Sequence, residues 1–300
     1  MAQRKRRWGD RKDGYRVRNL DSMHVIAPLI MPNRADNEAV MTETIDITAL
    51  NKYLEQKNMN ESEFKYTFFH VILAALAKTV VLRPRMNRFY VGPRLFDRKD
   101  IIFSFVVKKQ FEDDAHEALA LVKIDPESDV SPIEQIHSKV KRFVFSVRKE
   151  NKKDSTSDIM DKLVTALPAP ILKFVFNLLH WLDYHGLYPK FLMSEDPYFS
   201  TVFVSNLGSI KMKANYHHLA NWGTNSFFVI VGEKHLKAFP TQDGGVEWRE
   251  VIDLGLTIDE RIADGVYFAK SLKIFRKLIQ NPELLEEDIK KAVETEGDKK

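Results

Sequence analysis

Residues 258–265 read Ile258-Asp259-Glu260-Arg261-Ile262-Ala263-Asp264-Gly265. The preceding residues, 251–257, are β-branched and alternating, a pattern typical of a strand. After Gly265, apolar residues recur at helical spacing until Asn281-Pro282, where the helical pattern ends. The sequence therefore predicts a packed strand that leads into a charged turn and then into a helix. Such an arrangement holds polar side chains rigidly.

A second polar turn follows another predicted strand, over residues 198–204. It reads Ser205-Asn206-Leu207-Gly208. By itself this tetrapeptide is an ordinary strand-to-turn sequence. Its interest comes from its position ahead of the charged turn in the chain.

The two turns together resemble the signature of the chloramphenicol acetyltransferase and 2-oxoacid dehydrogenase acyltransferase (E2 catalytic domain) superfamily. That signature is a histidine, three residues, an aspartate and a glycine, with an arginine directly after the histidine in the E2 branch. Arg261, Asp264 and Gly265 match it, whereas Glu260 occupies the histidine position. Ser205-Asn206-Leu207-Gly208 is similar to the serine turn of E2 enzymes, and residues 41–50 resemble an early strand-to-helix junction of their catalytic domains.

The resemblance implies roles for seven residues. Glu260 stands in place of the general base, Ser205 donates a hydrogen bond to the oxyanion of the tetrahedral intermediate, and Asp264 orients the turn. The implied substrate-binding residues are Asn206, Gly208, Arg261 and Gly265. A preplaced hydroxyl donor contributes about 3 kcal/mol where negative charge develops.

Replacement of histidine by Glu260 leaves two hypotheses open. A carboxylate with an ordinary pKa of about 4.3 is a poor base unless its surroundings raise that pKa. The first hypothesis is a CoA-dependent acyltransferase with Glu260 as a substituted base. The second is a catalytically inactive homologue, with Glu260 in an ion pair, that binds a ligand or a protein partner.

The fold class implied by the resemblance is α/β, a chloramphenicol acetyltransferase-like two-layer sandwich with a mixed sheet. No glycine-rich phosphate loop follows a predicted strand, which argues against a doubly wound parallel sheet. Residues 66–82 are apolar nearly all round and predict a core helix under the sheet, with His70 as a buried histidine. Residues 100–107 and 118–124 predict a hairpin across an acidic loop at 112–114.

We expect three regions: a basic N-terminal arm over residues 1–18, a catalytic domain over 19–285 and a charged tail over 286–300. A helical insertion falls at about 155–195. Its apolar helix, about 13 residues long, is too short to span a bilayer. The sequence leaves it open whether this helix is an extra packed helix, a membrane-interface helix or a cover over an acyl-chain channel.

Composition excludes several classes of site. The chain has no cysteine, which removes disulfides and thiol nucleophiles. We expect no metal site, because the adjacent His217-His218 have no carboxylate at ligand spacing. There is no run of 18 apolar residues and no signal-peptide pattern, so the expected localisation is cytoplasmic.

The expected partners are small molecules and other copies of the chain. CoA or acyl-CoA is expected as a substrate, with no tightly bound cofactor, and the acceptor is not identified. The resemblance implies a homotrimer whose active sites take the base from one subunit and the serine from its neighbour; lipoyl and subunit-binding modules are not expected. The basic arm either contacts nucleic acid, anionic lipid or CoA phosphates, or packs on a neighbouring subunit. The sequence does not favour nucleic acid or membrane contact.

Overall fold

A computed structural model describes residues 4–61, 63–108, 117–150 and 166–295. The strands are β1 (Gly14–Arg16), β2 (Glu38–Asp46), β3 (Arg88–Val91), β4 (Arg94–Arg98), β5 (Ile101–Lys108), β6 (Glu117–Ile124), β7 (Val202–Asn206), β8 (Phe227–Pro240) and β9 (Val246–Asp259). The helices are α1 (Ser22–Ile30), α2 (Thr48–Lys57), α3 (Phe68–Leu82), α4 (Pro132–Glu150), α5 (Ala169–Tyr184), α6 (Lys190–Met193) and α7 (Gly265–Gln280).

Six strands form the main sheet, in the order β2-β9-β8-β7-β5-β6. β7 runs parallel to both β5 and β8, and the remaining neighbours are antiparallel. The mixed sheet predicted above is therefore confirmed. The predicted hairpin is also present as β5 and β6, whereas its acidic loop at 112–114 lies outside the described residues.

Helix α3 lies at the centre of the core. Its residues from His70 to Val80 are all buried. The apolar residues among them share one cluster with sheet residues such as Phe103, Val229 and Leu254, and with Phe275 of α7. A helix that is apolar on every side must be shielded from water on every side. Contacts with α4, α7 and the sheet bury it. Helices on one face of a mixed sheet give the predicted two-layer α/β architecture.

The predicted N-terminal arm is partly built into the fold. β1 pairs with β4, and β4 with β3, to form a second sheet of three strands. Arg11 is buried and forms ion pairs with Asp13 at 2.8 Å and with Asp183 at 2.6 Å. Residues 11–16 of the expected arm are therefore paired with distant parts of the chain. Sequence pattern could not reveal this, because the partners of these residues lie far away in the chain.

Helix α5 corresponds to the predicted apolar insertion. Its side chains at Leu172, Val175, Leu179 and Leu182 are partly buried, and Asp183 is buried against Arg11. A second apolar stripe faces solvent at Ile171, Phe174, Leu178 and Trp181. Within the described residues, no helix is long and apolar enough to cross a membrane. Residues 155–165 of the predicted insertion lie outside the described residues.

Candidate active site

The charged turn is built around a buried carboxylate, Asp259, at the end of β9. Asp259 is fully buried and accepts hydrogen bonds from both Nε and Nη2 of Arg261, at 2.8 and 2.7 Å. A bidentate pair of this kind is strong and fixes the plane of both groups. The side chain of Arg261 is therefore held beneath the turn, and its other nitrogen, Nη1, donates to the Met31 carbonyl at 3.0 Å.

Arg34 adds a second buried cation beside this pair. Its Nε lies 3.9 Å from Asp259 Oδ2, and its terminal nitrogens donate to backbone carbonyls, including those of Tyr90 at 3.3 Å and Gly223 at 3.1 Å. Burial lowers the pKa of Arg34, and the nearby Asp259 offsets part of this effect. Sequence reasoning missed both Asp259 and Arg34, since neither follows a periodic pattern that indicates a paired buried charge.

Glu260 lies on the surface side of the same turn. It is exposed, and it opens a single 3₁₀ turn over Glu260–Ile262. In the part of the chain that the structure describes, no hydrogen bond or ion pair is formed by its side chain. The ion pair expected for an inactive homologue is therefore not observed there. Because Arg261 is directed toward Asp259, the Glu260 carboxylate is free to meet a ligand or another subunit.

Asp264 has a local structural function. Its carboxylate accepts a hydrogen bond from the Tyr267 backbone N–H at 2.8 Å and so caps helix α7. Among the described residues, its one ion pair is with Arg85, at 3.8 Å. The next residue, Gly265, faces open space, because a Cβ added there would meet no atom within 4 Å. The structure brings Glu260, Arg261, Asp264 and Gly265 together in one turn.

Ser205 lies near the end of strand β7, and its side chain is half-buried. No partner for its hydroxyl is found among the described residues. The Asn206 side-chain oxygen is buried without a hydrogen-bond partner there. Gly208 is required by packing, since a Cβ at this position would lie 2.5 Å from the Gly232 carbonyl oxygen. The serine turn therefore has unused hydrogen-bonding groups beside a tightly packed backbone.

The sheet register separates Ser205 from Glu260 within one chain. Ser205 pairs with Ile230 of β8, and Ile230 pairs with Gly255 of β9. Glu260 follows five residues after Gly255, at the opposite end of the sheet. At a rise of about 3.4 Å per residue, the two side chains are about 17 Å apart along the strand direction. One subunit therefore does not bring them together.

A cavity of about 210 Å³ lies behind the charged turn. Its lining includes Arg34, Tyr90 and Arg261, together with His180 and Asp183 from helix α5. Burial raises the pKa of Asp183, and the guanidinium of Arg11 opposes this rise. Helix α5 thus contributes polar side chains to the space beside the turn, although its sequence is mainly apolar. No group of histidine and acidic side chains suited to hold a metal ion occurs among the described residues.

Comparisons with known proteins agree with this architecture. Residues 191–286 match the family model described as the 2-oxoacid dehydrogenases acyltransferase catalytic domain. No curated protein matches the chain significantly.

Solved structures with a similar fold include the following three. A probable dihydrolipoamide acetyltransferase from Listeria monocytogenes is 15% identical with a TM-score of 0.56, covering 89% of this chain and 95% of that one. The dihydrolipoamide acetyltransferase of Azotobacter vinelandii is 14% identical with a TM-score of 0.57, covering 90% and 93%. A chloramphenicol acetyltransferase is 10% identical with a TM-score of 0.50, covering 89% and 99%.

The match to the family model contains both turns described above, Ser205–Gly208 and Glu260–Gly265. The fold similarity extends over most of the chain. Residues 191–286 therefore match the 2-oxoacid dehydrogenases acyltransferase catalytic domain, and the chain as a whole is similar in fold to such acyltransferases and to chloramphenicol acetyltransferase.

Proposed function

We propose that the protein transfers an acyl group from a CoA thioester to the hydroxyl or thiol of a small acceptor. The observation that carries this proposal is the family match over residues 191–286, which includes both the serine turn and the charged turn. The study of the Azotobacter vinelandii enzyme names a serine and a histidine in its catalytic mechanism. Ser205 and Glu260 are our candidates for the corresponding positions.

In the proposed reaction, the Glu260 carboxylate accepts the proton of the acceptor while the acceptor oxygen or sulfur attacks the thioester carbonyl carbon. The carbonyl oxygen becomes negative, and the Ser205 hydroxyl donates a hydrogen bond to it. Collapse of this intermediate breaks the carbon–sulfur bond and releases CoA as a thiolate. The protonated Glu260 then returns its proton to that thiolate, so the enzyme ends in its starting state.

Two neighbouring groups hold Glu260 in place. The Arg261–Asp259 pair anchors the backbone directly after it, and Asp264 caps the helix that follows. In this scheme Asp264 and Arg261 are positioning residues. Asn206, Gly208 and Gly265 are proposed to border the bound substrate.

We further propose a homotrimer in which Ser205 of one subunit meets Glu260 of its neighbour. This assembly is supported by the separation of about 17 Å between the two side chains along the sheet. It is also supported by the second apolar stripe of α5, which a single chain leaves exposed. CoA is treated as a substrate in this proposal, and no tightly bound cofactor is needed for its chemistry.

Calorimetric titration with CoA and with short- and long-chain acyl-CoAs is the first test, followed by acyl transfer assays with Glu260→Gln. Saturable acyl-CoA binding and turnover that Glu260→Gln abolishes, with the circular dichroism spectrum unchanged, are the expected results. Binding without turnover would support the inactive homologue instead. A folded protein that binds none of these compounds would contradict both CoA-dependent hypotheses.

A further inference from the structure

A second cavity, of about 580 Å³, lies between the N-terminal residues and the end of helix α5. We call it the basic pocket. Four of the arginine side chains that line it are Arg6, Arg7, Arg16 and Arg94. The mechanism proposed above uses none of them.

The positive charge of the basic pocket is not balanced by the protein. Arg6 and Arg94 donate to the backbone carbonyls of Asp10 and Tyr184, each at 3.2 Å. Within the described residues, none of the four guanidinium groups has a carboxylate at ion-pair distance. The acidic side chain in the lining, Asp10, is paired with Arg18 at 3.2 Å. Four like charges therefore share one cavity, and an anionic ligand would relieve their repulsion.

Asp10 holds this arrangement in place before any ligand arrives. Its side chain is buried and accepts hydrogen bonds from the backbone N–H groups of Arg7 at 2.7 Å and Arg16 at 2.9 Å. The two segments that carry these arginines are thereby tied to one carboxylate. A preorganised site loses less conformational entropy when it binds a ligand.

Aromatic groups accompany the arginines. Trp8 lines the pocket and is 94% exposed, so its indole face is open to a ligand. Tyr184 also lines the pocket. Guanidinium groups recognise phosphate oxygens in a bidentate manner, and an exposed indole offers a stacking surface for a nucleobase. We propose that the basic pocket binds the diphosphate of a nucleotide-type ligand, with Trp8 against its base.

Two sources share this ligand chemistry: a free nucleoside diphosphate, and the nucleotide end of CoA. Tyr184 lines both the basic pocket and the cavity beside Arg261, so the two cavities adjoin at this side chain. A ligand longer than a nucleotide could therefore extend toward the charged turn. Phosphate recognition itself does not depend on Glu260 or on acyl transfer.

The test is titration of the full chain with pyrophosphate, ADP, CoA and pantetheine. Binding is measured by calorimetry and by the change in tryptophan fluorescence. The test variant is Arg16→Gln/Arg94→Gln. Its matched control is Lys270→Gln/Lys273→Gln on α7, which removes the same charge from residues outside the pocket. Arg16→Lys/Arg94→Lys keeps the charge without the bidentate geometry, and it serves if the glutamine variant fails to fold.

We expect pyrophosphate, ADP and CoA to bind saturably and pantetheine to bind far more weakly. The arginine-to-glutamine variant should raise the dissociation constants at least about tenfold, the lysine variant should raise them less, and the control should leave them unchanged. Binding should weaken as salt rises. If ADP binds as tightly as CoA, the ligand of the basic pocket is a free nucleotide. If CoA binds more tightly than ADP, the ligand is the acyl donor.

The proposal is overturned if pyrophosphate, ADP and CoA all fail to bind, or if the arginine variants bind these compounds as tightly as the wild type does. Glu260→Gln should still bind ADP and CoA. Loss of acyl transfer and loss of phosphate binding are therefore separate results, so this inference and the proposed function can fail independently.

Discussion

At the scale of single residues, Glu260 and Asp259 are neighbours with opposite environments. Asp259 is buried and fully used by Arg261, whereas Glu260 is exposed and free of ion pairs among the described residues. The structural role in the motif therefore falls to the buried Asp259 and not to the exposed Glu260. Glu260 can therefore be changed with little effect on folding.

Glu260→His tests whether the rest of the site is intact. Histidine has an ordinary pKa of about 6.5 and is a better general base near neutral pH than a carboxylate. We expect Glu260→His to keep the wild-type thermal midpoint and to increase acyl transfer at pH 7 by about tenfold or more. An acetyl-CoA assay measures the rate. Unchanged or lower turnover in a folded variant would contradict a site arranged around this position.

His70 makes stability depend on pH. Its Nδ1 accepts a hydrogen bond from the Thr67 backbone N–H at 3.1 Å, while its Nε2 is buried without a partner among the described residues. Burial lowers the pKa of His70 to about 3, and the proximity of His137 adds to this. In the unfolded chain its pKa is about 6.5. Below pH 6.5 the unfolded chain therefore binds a proton that the folded chain does not.

The free energy of unfolding should consequently fall as pH drops from 6.5, with a His70 contribution of about 2 kcal/mol lost by pH 5. His70→Gln is the matched variant, because glutamine also suits this helix-capping position and does not titrate. Urea unfolding between pH 7 and pH 5 measures the difference. Equal pH slopes for the two proteins would show that His70 is not responsible.

At the scale of elements, strand β9 carries the most constrained glycine near the site. A Cβ at Gly255 would lie 1.8 Å from the Asn215 carbonyl oxygen, because the 211–225 segment crosses the sheet at this strand. Gly265 begins α7, and a methyl group at its Cα would meet no atom within 4 Å. Close packing of the backbone therefore requires glycine at position 255 but not at position 265.

We expect Gly255→Ala to lower the free energy of unfolding by about 2–4 kcal/mol, since backbone must move to admit the methyl group. Gly265→Ala is the control, with a change of zero or a gain of about 0.5 kcal/mol. Chemical denaturation of both variants measures these values. A Gly265→Ala protein that is stable but inactive would indicate that substrate or a neighbouring subunit occupies this space.

At the scale of the whole molecule, the mixed sheet places the two candidate catalytic side chains at different ends. The single chain also exposes Phe174 and Trp181 of α5 and Leu29 of α1. Covering apolar groups of this kind is a common source of subunit association energy. Both features agree with the proposed trimer.

Mixed trimers test this assembly directly. Ser205→Ala and Glu260→Gln should each be inactive alone. If they are unfolded and refolded together in equal amounts, about a quarter of the sites should combine an intact serine with an intact glutamate from different subunits. About a quarter of wild-type activity is therefore expected. A mixture that stays inactive while light scattering shows trimers would place the whole site within one subunit.

Periodicity along the chain was enough to predict the local elements and the two turns. The strand and helix on either side of residues 258–265, the buried helix α3 and the β5–β6 hairpin all follow from it, because burial imposes a period on each element. The pairing of charges, in contrast, emerges only when the chain is folded. The pairing of Asp259 with Arg34 and of Arg11 with Asp183, and the approach of Arg94 to the N-terminal arginines, all depend on contacts across the fold. Such contacts leave no periodic trace, because an ion pair needs only proximity in space and not a fixed spacing along the chain.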